Sequence, residues 1–160
     1  MITLYHIAQL TGGLVVSTDN LSEYWMGFWT ICGDVCDYYP ILNVLKGSEI
    51  YDIASYIGVP EEILCAEPAD GLGISSTDAQ QIGAKYPVVD RIMIALLNQG
   101  FKLNGSLEQL DHLPRIKGID PIVIKQIAQR ALANEFKRRG PIVLTRKDLG
   151  LPSLAVIDQD

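Results

Sequence analysis

Apolar positions recur with a helical period in four separate stretches of the chain. Leu4, Ile7 and Ala8 share one face, and Ile50, Ile53, Ala54 and Ile57 repeat at i, i+3, i+4 and i+7. Val89, Ile92, Met93 and Leu96 form a third stripe, and Ile124, Ile127, Ala128 and Ala131 a fourth. Punctuation bounds them. Gly58 and Pro60 end a helix predicted over residues 47–57, Pro87 leads into one that ends near Gly100, and Asp120 and Pro121 cap and start the last. The first stripe has no capping residue before it.

One run departs from this period. Leu14, Val15 and Val16 make a short β-branched stretch of the kind a parallel sheet buries, and it passes at once into Ser17, Thr18, Asp19 and Asn20. A further helix is predicted over residues 21–30, its aromatic residues Trp25, Phe28 and Trp29 packing in the core or at a subunit interface. Residues 65–87 hold no durable period; Pro68, Asp70, Gly71, Gly73, Ser75, Ser76, Thr77 and Gly83 predict a long polar loop. Residues 101–118 are mixed. The whole reads as one α/β domain over residues 1–150, with 151–160 a loosely docked tail.

The junction after the strand is where an open α/β sheet receives ligands, with the following helix presenting free backbone N–H groups. Thr18 there suits either a hydrogen bond to a nucleotide or the start of a turn. Glu23 stands three residues after Asn20, the spacing of a capping box, and is equally a carboxylate of the kind that Mg²⁺ takes together with phosphate oxygens. The loop from Gly33 to Asp37 places Asp34 and Asp37 around a flexible glycine, either to hold a polar substrate or simply to turn. Lys46 precedes a helix, as a ligand for phosphate or an exposed loop lysine. Lys137, Arg138 and Arg139 form the densest basic cluster, with Arg146 and Lys147 soon after; as bare pattern this is a solvated helix end that complements the macrodipole.

In order along the chain, VVSTDNLSE, GFWT, CGDVCD, Pro40, Leu45, Lys46 and IYDIASYIGVPEEIL resemble the ammonia-dependent NAD synthetases, whose pattern runs approximately VVGT(D/G)(N/H)xxE, GF(F/W)T, YGDGxxD, Pro, Leu and Lys. The resemblance implies the carboxyl-terminal part of a Rossmann-like ATP-pyrophosphatase fold, mostly helical with few parallel strands. It implies ATP at Thr18 and Lys46, Mg²⁺ at Glu23, and deamido-NAD at Asp37 and Lys137. The implied activity is amidation of deamido-NAD by ammonia through an adenylated intermediate, in a homodimer. Ile31, Pro68 and Phe136 depart from the pattern, standing where the family has a lysine, a threonine or serine, and a histidine. The family's SGGxDS pyrophosphate loop does not occur in these residues; Thr11-Gly12-Gly13 leads into strand residues instead. The expectation is therefore a truncated chain, inactive alone and completed by the missing half as a separate chain or a longer gene product, with an inactive nucleotide-binding or dimerisation module as the alternative.

Composition narrows the field. At 160 residues and 48% hydrophobic the chain suffices for one core, and a net charge of -6 opposes general nucleic-acid binding, which needs a basic footprint. No apolar run approaches a membrane span, and the N-terminus resembles no signal peptide, so the expected location is cytoplasmic. Cys32, Cys36 and Cys65 have no C-x-x-C spacing and read as reduced thiols, and His112 has no partner at metal-ligand spacing.

Overall fold

A computed structural model describes residues 1–34, 36, 38–71, 73, 75–140 and 144–151. In chain order the helices are α1 (Ile2–Thr11), α2 (Leu21–Met26), α3 (Glu49–Tyr56), α4 (Glu61–Leu64), α5 (Asp78–Ile82), α6 (Tyr86–Asn98), a 3₁₀ helix (Leu107–His112), α7 (Pro121–Ala133) and α8 (Glu135–Arg138). The core is the seam between α6 and α7, closed by α2. Val89, Ile92, Met93 and Leu96 meet Ile124, Ile127, Ala128 and Ala131, with Trp25 and Met26 added from α2. Removing each large side chain here from water contributes about 2 kcal/mol, so these two stripes supply most of the drive to fold. Both helices start as expected: Pro87 sits in the first turn of α6, and the Asp120 carboxylate accepts from the Ile122 N–H at 2.8 Å.

The other two stripes are not buried. No residue of α1 or α3 is buried, and Ile2, Leu4, Ile7, Leu10, Ile53 and Ile57 are all exposed.

The expected parallel pairing is present as a single bridge, Val16 to Tyr38, in which the Ser17 N–H donates to the Tyr38 carbonyl and the Tyr38 N–H to that of Val15. The run 14–16 is not buried on both faces. Val15, Ser17 and Asp19 are buried while Leu14, Val16 and Thr18 are exposed, the alternation of an extended segment covered on one side only.

Two boundaries differ from expectation. The helix predicted to reach residue 30 stops at Met26, because Gly27 takes a left-handed conformation (φ 59°) and turns its N–H back to the carbonyls of Glu23 and Tyr24. A Cβ at Gly27 would meet the Asn134 side chain, 2.7 Å from its Cγ. Phe28 and Trp29 consequently leave the helix. The region 65–87 is not one loop: α5 occupies Asp78–Ile82, capped by the Thr77 hydroxyl, and α6 begins at Tyr86.

The start of α2 is a capping box. The Glu23 N–H donates to the Asn20 side-chain oxygen at 3.1 Å, and Glu23 Oε2 accepts from the Asn20 backbone N–H at 3.2 Å. Asn20→Ala is expected to cost about 1 kcal/mol in urea unfolding, with Asn20→Ser retaining most of the stability.

Candidate functional site

The capping box divides the work of one carboxylate. Glu23 Oε2 caps α2, and Oε1 accepts from the Lys46 ammonium at 2.6 Å. Both readings of Glu23 thus remain compatible, since they use different oxygens. Lys46 is not a free loop lysine. It is also 3.7 Å from Asp78 Oδ2 and lies 4.6 Å from the centre of the Tyr86 ring. Its backbone is pinned: Lys46 N–H donates to Ser22 Oγ at 2.9 Å, Ser22 Oγ donates to Asp90 Oδ1 at 2.6 Å, and Gly47 N–H donates to Asp90 Oδ2 at 2.8 Å. One buried carboxylate on α6 therefore fixes both α2 and the segment that presents Lys46.

Thr18, Glu23, Lys46 and Lys137 line one cleft of about 770 Å³. The fifth residue singled out by sequence, Asp37, lies outside the described residues. Thr18 is exposed at the end of the extended segment, just where the alternation turns it away from the core. Asp34 also lines the cleft, and its carboxylate accepts from the Thr30 N–H at 2.7 Å while its carbonyl accepts from the Ser17 hydroxyl at 3.1 Å.

Lys137 reaches the cleft from α8, but its ammonium donates to the carbonyls of Gly27 at 2.8 Å and Trp29 at 2.6 Å. Burial, reinforced by Arg130, pulls its pKa below the usual lysine value. Its neighbours do not share the site. The Arg138 guanidinium is half-buried and donates to the carbonyls of Tyr24, Trp25, Leu103 and Ala131, tying α2 to α7, whereas Arg139 pairs with Glu135 at 2.6 Å. The basic cluster is thus neither a solvated helix end nor a single anion site. Arg146 and Lys147 are exposed and do not line the cleft.

Several lining residues were not apparent from sequence. Arg130, on α7, donates to the carbonyls of Met26 at 3.2 Å and Gln81 at 2.9 Å and stacks over Phe28, 5.7 Å from the ring centre. Phe28 and Trp29 form an aromatic wall, Trp29 stacked on Tyr24 with centroids 5.9 Å apart. Asp78 is buried, accepting from the Tyr86 hydroxyl at 2.9 Å, and Asp19 is buried against the Ser17 hydroxyl. Burial raises the Asp19 pKa, the Ser17 hydrogen bond opposes this, and Asp34 and Glu23 add to the rise. The only local signal for Arg130 was a charge set beside an apolar stripe, which is also how an ordinary helix edge reads.

Of the departing residues, Ile31 and Phe136 are exposed and outside the cleft lining, while Pro68 borders a second hollow of about 440 Å³ that shares Asp78 with the cleft. The cysteines are free, Cys32 and Cys65 exposed. Among the described residues no helix is long and apolar enough to cross a membrane.

The profile of the family described as NAD synthase matches residues 1–141. The NH₃-dependent NAD⁺ synthetase of Pyrococcus horikoshii is 33% identical over 150 residues, which cover 93% of this chain and 55% of that protein. Among solved structures, the NMN synthetase of Francisella tularensis superposes with a TM-score of 0.63 at 28% identity, over 90% of this chain and 51% of that one. The NH₃-dependent NAD synthetase of Campylobacter jejuni does so with a TM-score of 0.61 at 29% identity, over 91% and 51%. The chain thus spans about half the length of the relatives it matches. Its structural neighbours are NAD and NMN synthetases, in keeping with an α/β nucleotide-binding fold realised here mostly in helices. The ordered motifs between Val15 and Lys46, the cleft they build and the match over residues 1–141 lead to one assignment: the chain belongs to the NAD synthase family.

Proposed function

We propose that this chain serves the ATP- and Mg²⁺-dependent amidation of deamido-NAD to NAD, with ammonia as nitrogen donor. The observation that carries this is the meeting around one cleft of Thr18, Glu23, Lys46 and Lys137, the first and last of them 119 positions apart. Thr18 and Lys46 are assigned to ATP, Lys137 and Asp37 to deamido-NAD, and Glu23 to Mg²⁺. In this reading the fold corresponds to the carboxyl-terminal part of a Rossmann-like ATP-pyrophosphatase domain, and the protein is a cytoplasmic homodimer. The open apolar face of α1 supports a partner there, because so many large exposed apolar side chains on one helix favour being covered.

The charges of the cleft fit a cation. Among the described residues Asp19, Glu23, Asp34, Asp70 and Asp78 line it against Lys46, Arg130 and Lys137, five carboxylates to three cations. A polyphosphate entering alone would meet that excess unfavourably. Mg²⁺ takes few protein carboxylates and completes its shell with phosphate oxygens and water, so Glu23 Oε1 would be its protein ligand in place of Lys46, and the ion would supply neutralisation of phosphate charge. Lys46 lies beside that oxygen to meet a second phosphate charge, and Phe28 and Trp29 offer flat surfaces to ring systems. A deamido-NAD carboxylate oxygen attacks the α-phosphorus of ATP and pyrophosphate leaves with the bonding pair. Ammonia then attacks the carbonyl carbon of the adenylate, AMP departs, and the proton passes to solvent. The protein contributes position and charge complementarity rather than a covalent nucleophile.

A second reading, an inactive nucleotide-binding or dimerisation module, is favoured by one observation: the Lys137 ammonium is engaged by two backbone carbonyls, and Ile31 and Phe136 add no polar group to the cleft. The test supplies the 160-residue chain with ATP, Mg²⁺, ammonia and deamido-NAD, alone and with a fragment carrying SGGxDS, and measures NAD. NAD formed only with the fragment, and lost with Lys46→Met, is the expected result. No NAD in either mixture, with no calorimetric heat from either nucleotide, would leave the module.

A further inference from the structure

We infer that Arg130 is a specificity-determining residue: its guanidinium pairs with the carboxylate on the pyridine ring of deamido-NAD, and so separates that substrate from NAD, whose carboxamide carries no charge. This inference rests on the proposed assignment of deamido-NAD to the Lys137 side of the cleft.

One cation of the cleft has carboxylate partners and two do not. Lys46 pairs with Glu23 at 2.6 Å and stands 3.7 Å from Asp78. Arg130 and Lys137 line the same cleft, half-buried, and among the described residues neither makes an ion pair. Backbone carbonyls take only part of their donor capacity. Arg130 gives Nε to Met26 and Nη1 to Gln81, and its Nη2 has no acceptor among the described residues. Lys137 gives two of its three N–H groups to Gly27 and Trp29. Burial disfavours the charge on each, Arg130 adds to that penalty at Lys137, and Asp34 opposes it from beyond ion-pair distance. Two like charges held partly out of water without a counter-ion are stabilised by an arriving anion.

The surroundings select a charged ring rather than a bare phosphate. The Arg130 guanidinium lies 5.7 Å from the Phe28 ring centre, and the Lys137 ammonium 5.7 Å from that of Trp29. Both rings line the cleft. A ligand that lays an apolar ring against these residues and a negative charge against their cations carries that charge directly on the ring. Nicotinate does; adenine is uncharged, and pyrophosphate has no apolar face. Amidation removes the charge that Arg130 reads, so the product is held less firmly than the substrate and leaves.

The experiment titrates the 160-residue chain with deamido-NAD and, separately, with NAD by calorimetry, for wild type, Arg130→Gln and Arg130→Lys, with a thermal melt of each. Wild type is expected to prefer deamido-NAD by about tenfold, the effect of one charge-assisted hydrogen bond, and Arg130→Gln to bring the two affinities within about threefold by weakening deamido-NAD alone. A merely structural role would weaken both dinucleotides alike, because the carbonyls of Met26 and Gln81 are held in the same way whichever is bound. Equal affinities in wild type, an unchanged preference in Arg130→Gln, or an equal loss for both ligands overturns the inference. Should Arg130→Gln fail to fold, Arg130→Lys decides it: without the planar fork the preference is expected to fall about threefold, and an unchanged preference overturns it. If wild type binds neither dinucleotide, the deamido-NAD assignment itself fails, and the inference with it.

Discussion

Asp90→Ala is expected to lower the free energy of unfolding by about 3 kcal/mol, read from urea denaturation at neutral pH. Asp90 is 5% exposed and accepts from Ser22 Oγ at 2.6 Å and Gly47 N–H at 2.8 Å. Ser22 is fully buried, so alanine leaves its hydroxyl without an acceptor as well as opening space at the α2–α6 contact. Removing a buried charge returns part of that cost, and this keeps the estimate below the sum of two lost charge-assisted bonds. A measured loss under 1 kcal/mol would contradict the role assigned to this carboxylate. The same change should loosen Lys46, whose N–H bonds the other side of Ser22 Oγ.

The pH dependence separates charge from hydrogen bonding. Burial raises the Asp90 pKa, outweighing the bonds from Ser22 and Gly47 that lower it. In the folded protein the protonated acid is therefore favoured relative to the unfolded chain. As pH rises from about 4, the unfolded-state value, through the raised folded-state value, the native state holds more protons than the unfolded state and stability falls. Above that window the loss is complete and constant. Wild type should thus lose stability relative to Asp90→Asn across the window, and a difference that grew in favour of wild type would overturn the sign.

Arg138→Ala is expected to cost at least as much, about 3 kcal/mol or more. Its guanidinium donates to Trp25 O at 3.0 Å, to Tyr24 O and Leu103 O at 3.3 Å, and to Ala131 O, and lies 5.9 Å from the Tyr24 ring centre. Those are carbonyls near the end of α2, in the loop before the 3₁₀ helix and near the end of α7, where the helices' own N–H groups run out. A planar fork with five donors spans three elements; a lysine ammonium is a point and does not. Arg138→Lys should accordingly recover less than half of the lost stability in the same denaturation experiment. If lysine restored it fully, the charge rather than the fork would be the stabilising feature.

Local pattern was a good guide wherever the controlling interaction is itself local. The stripes of α6 and α7 are the core, the Asn20–Glu23 spacing is a capping box, and Asp120 with Pro121 starts α7. The stop of α2 was less legible, because Phe28 and Trp29 continue the apolar character past Gly27, and only the left-handed turn at that glycine redirects them to the cleft. The stripe on α3 was legible as a helix and not as an exposed one, since period reports that a face is apolar without reporting what covers it.

The family membership and the stripes of α6 and α7 followed from the chain's own letters, and motif resemblance singled out Thr18, Glu23, Lys46 and Lys137 as candidates, because motifs and periodicity act over a few positions or in a recognisable order. Tertiary structure alone decided how those residues are partnered: Lys46 to Glu23 and Asp78, Lys137 to two carbonyls, Asp90 buried as a tie, and Arg138 a clamp rather than a ligand. Ser22 and Asp90 are 68 positions apart, and Arg138 and Trp25 are 113. No local spacing encodes contacts at that separation; they exist because the α6–α7 core brings the ends of several short elements together, and burial there makes each polar group take the partner within reach.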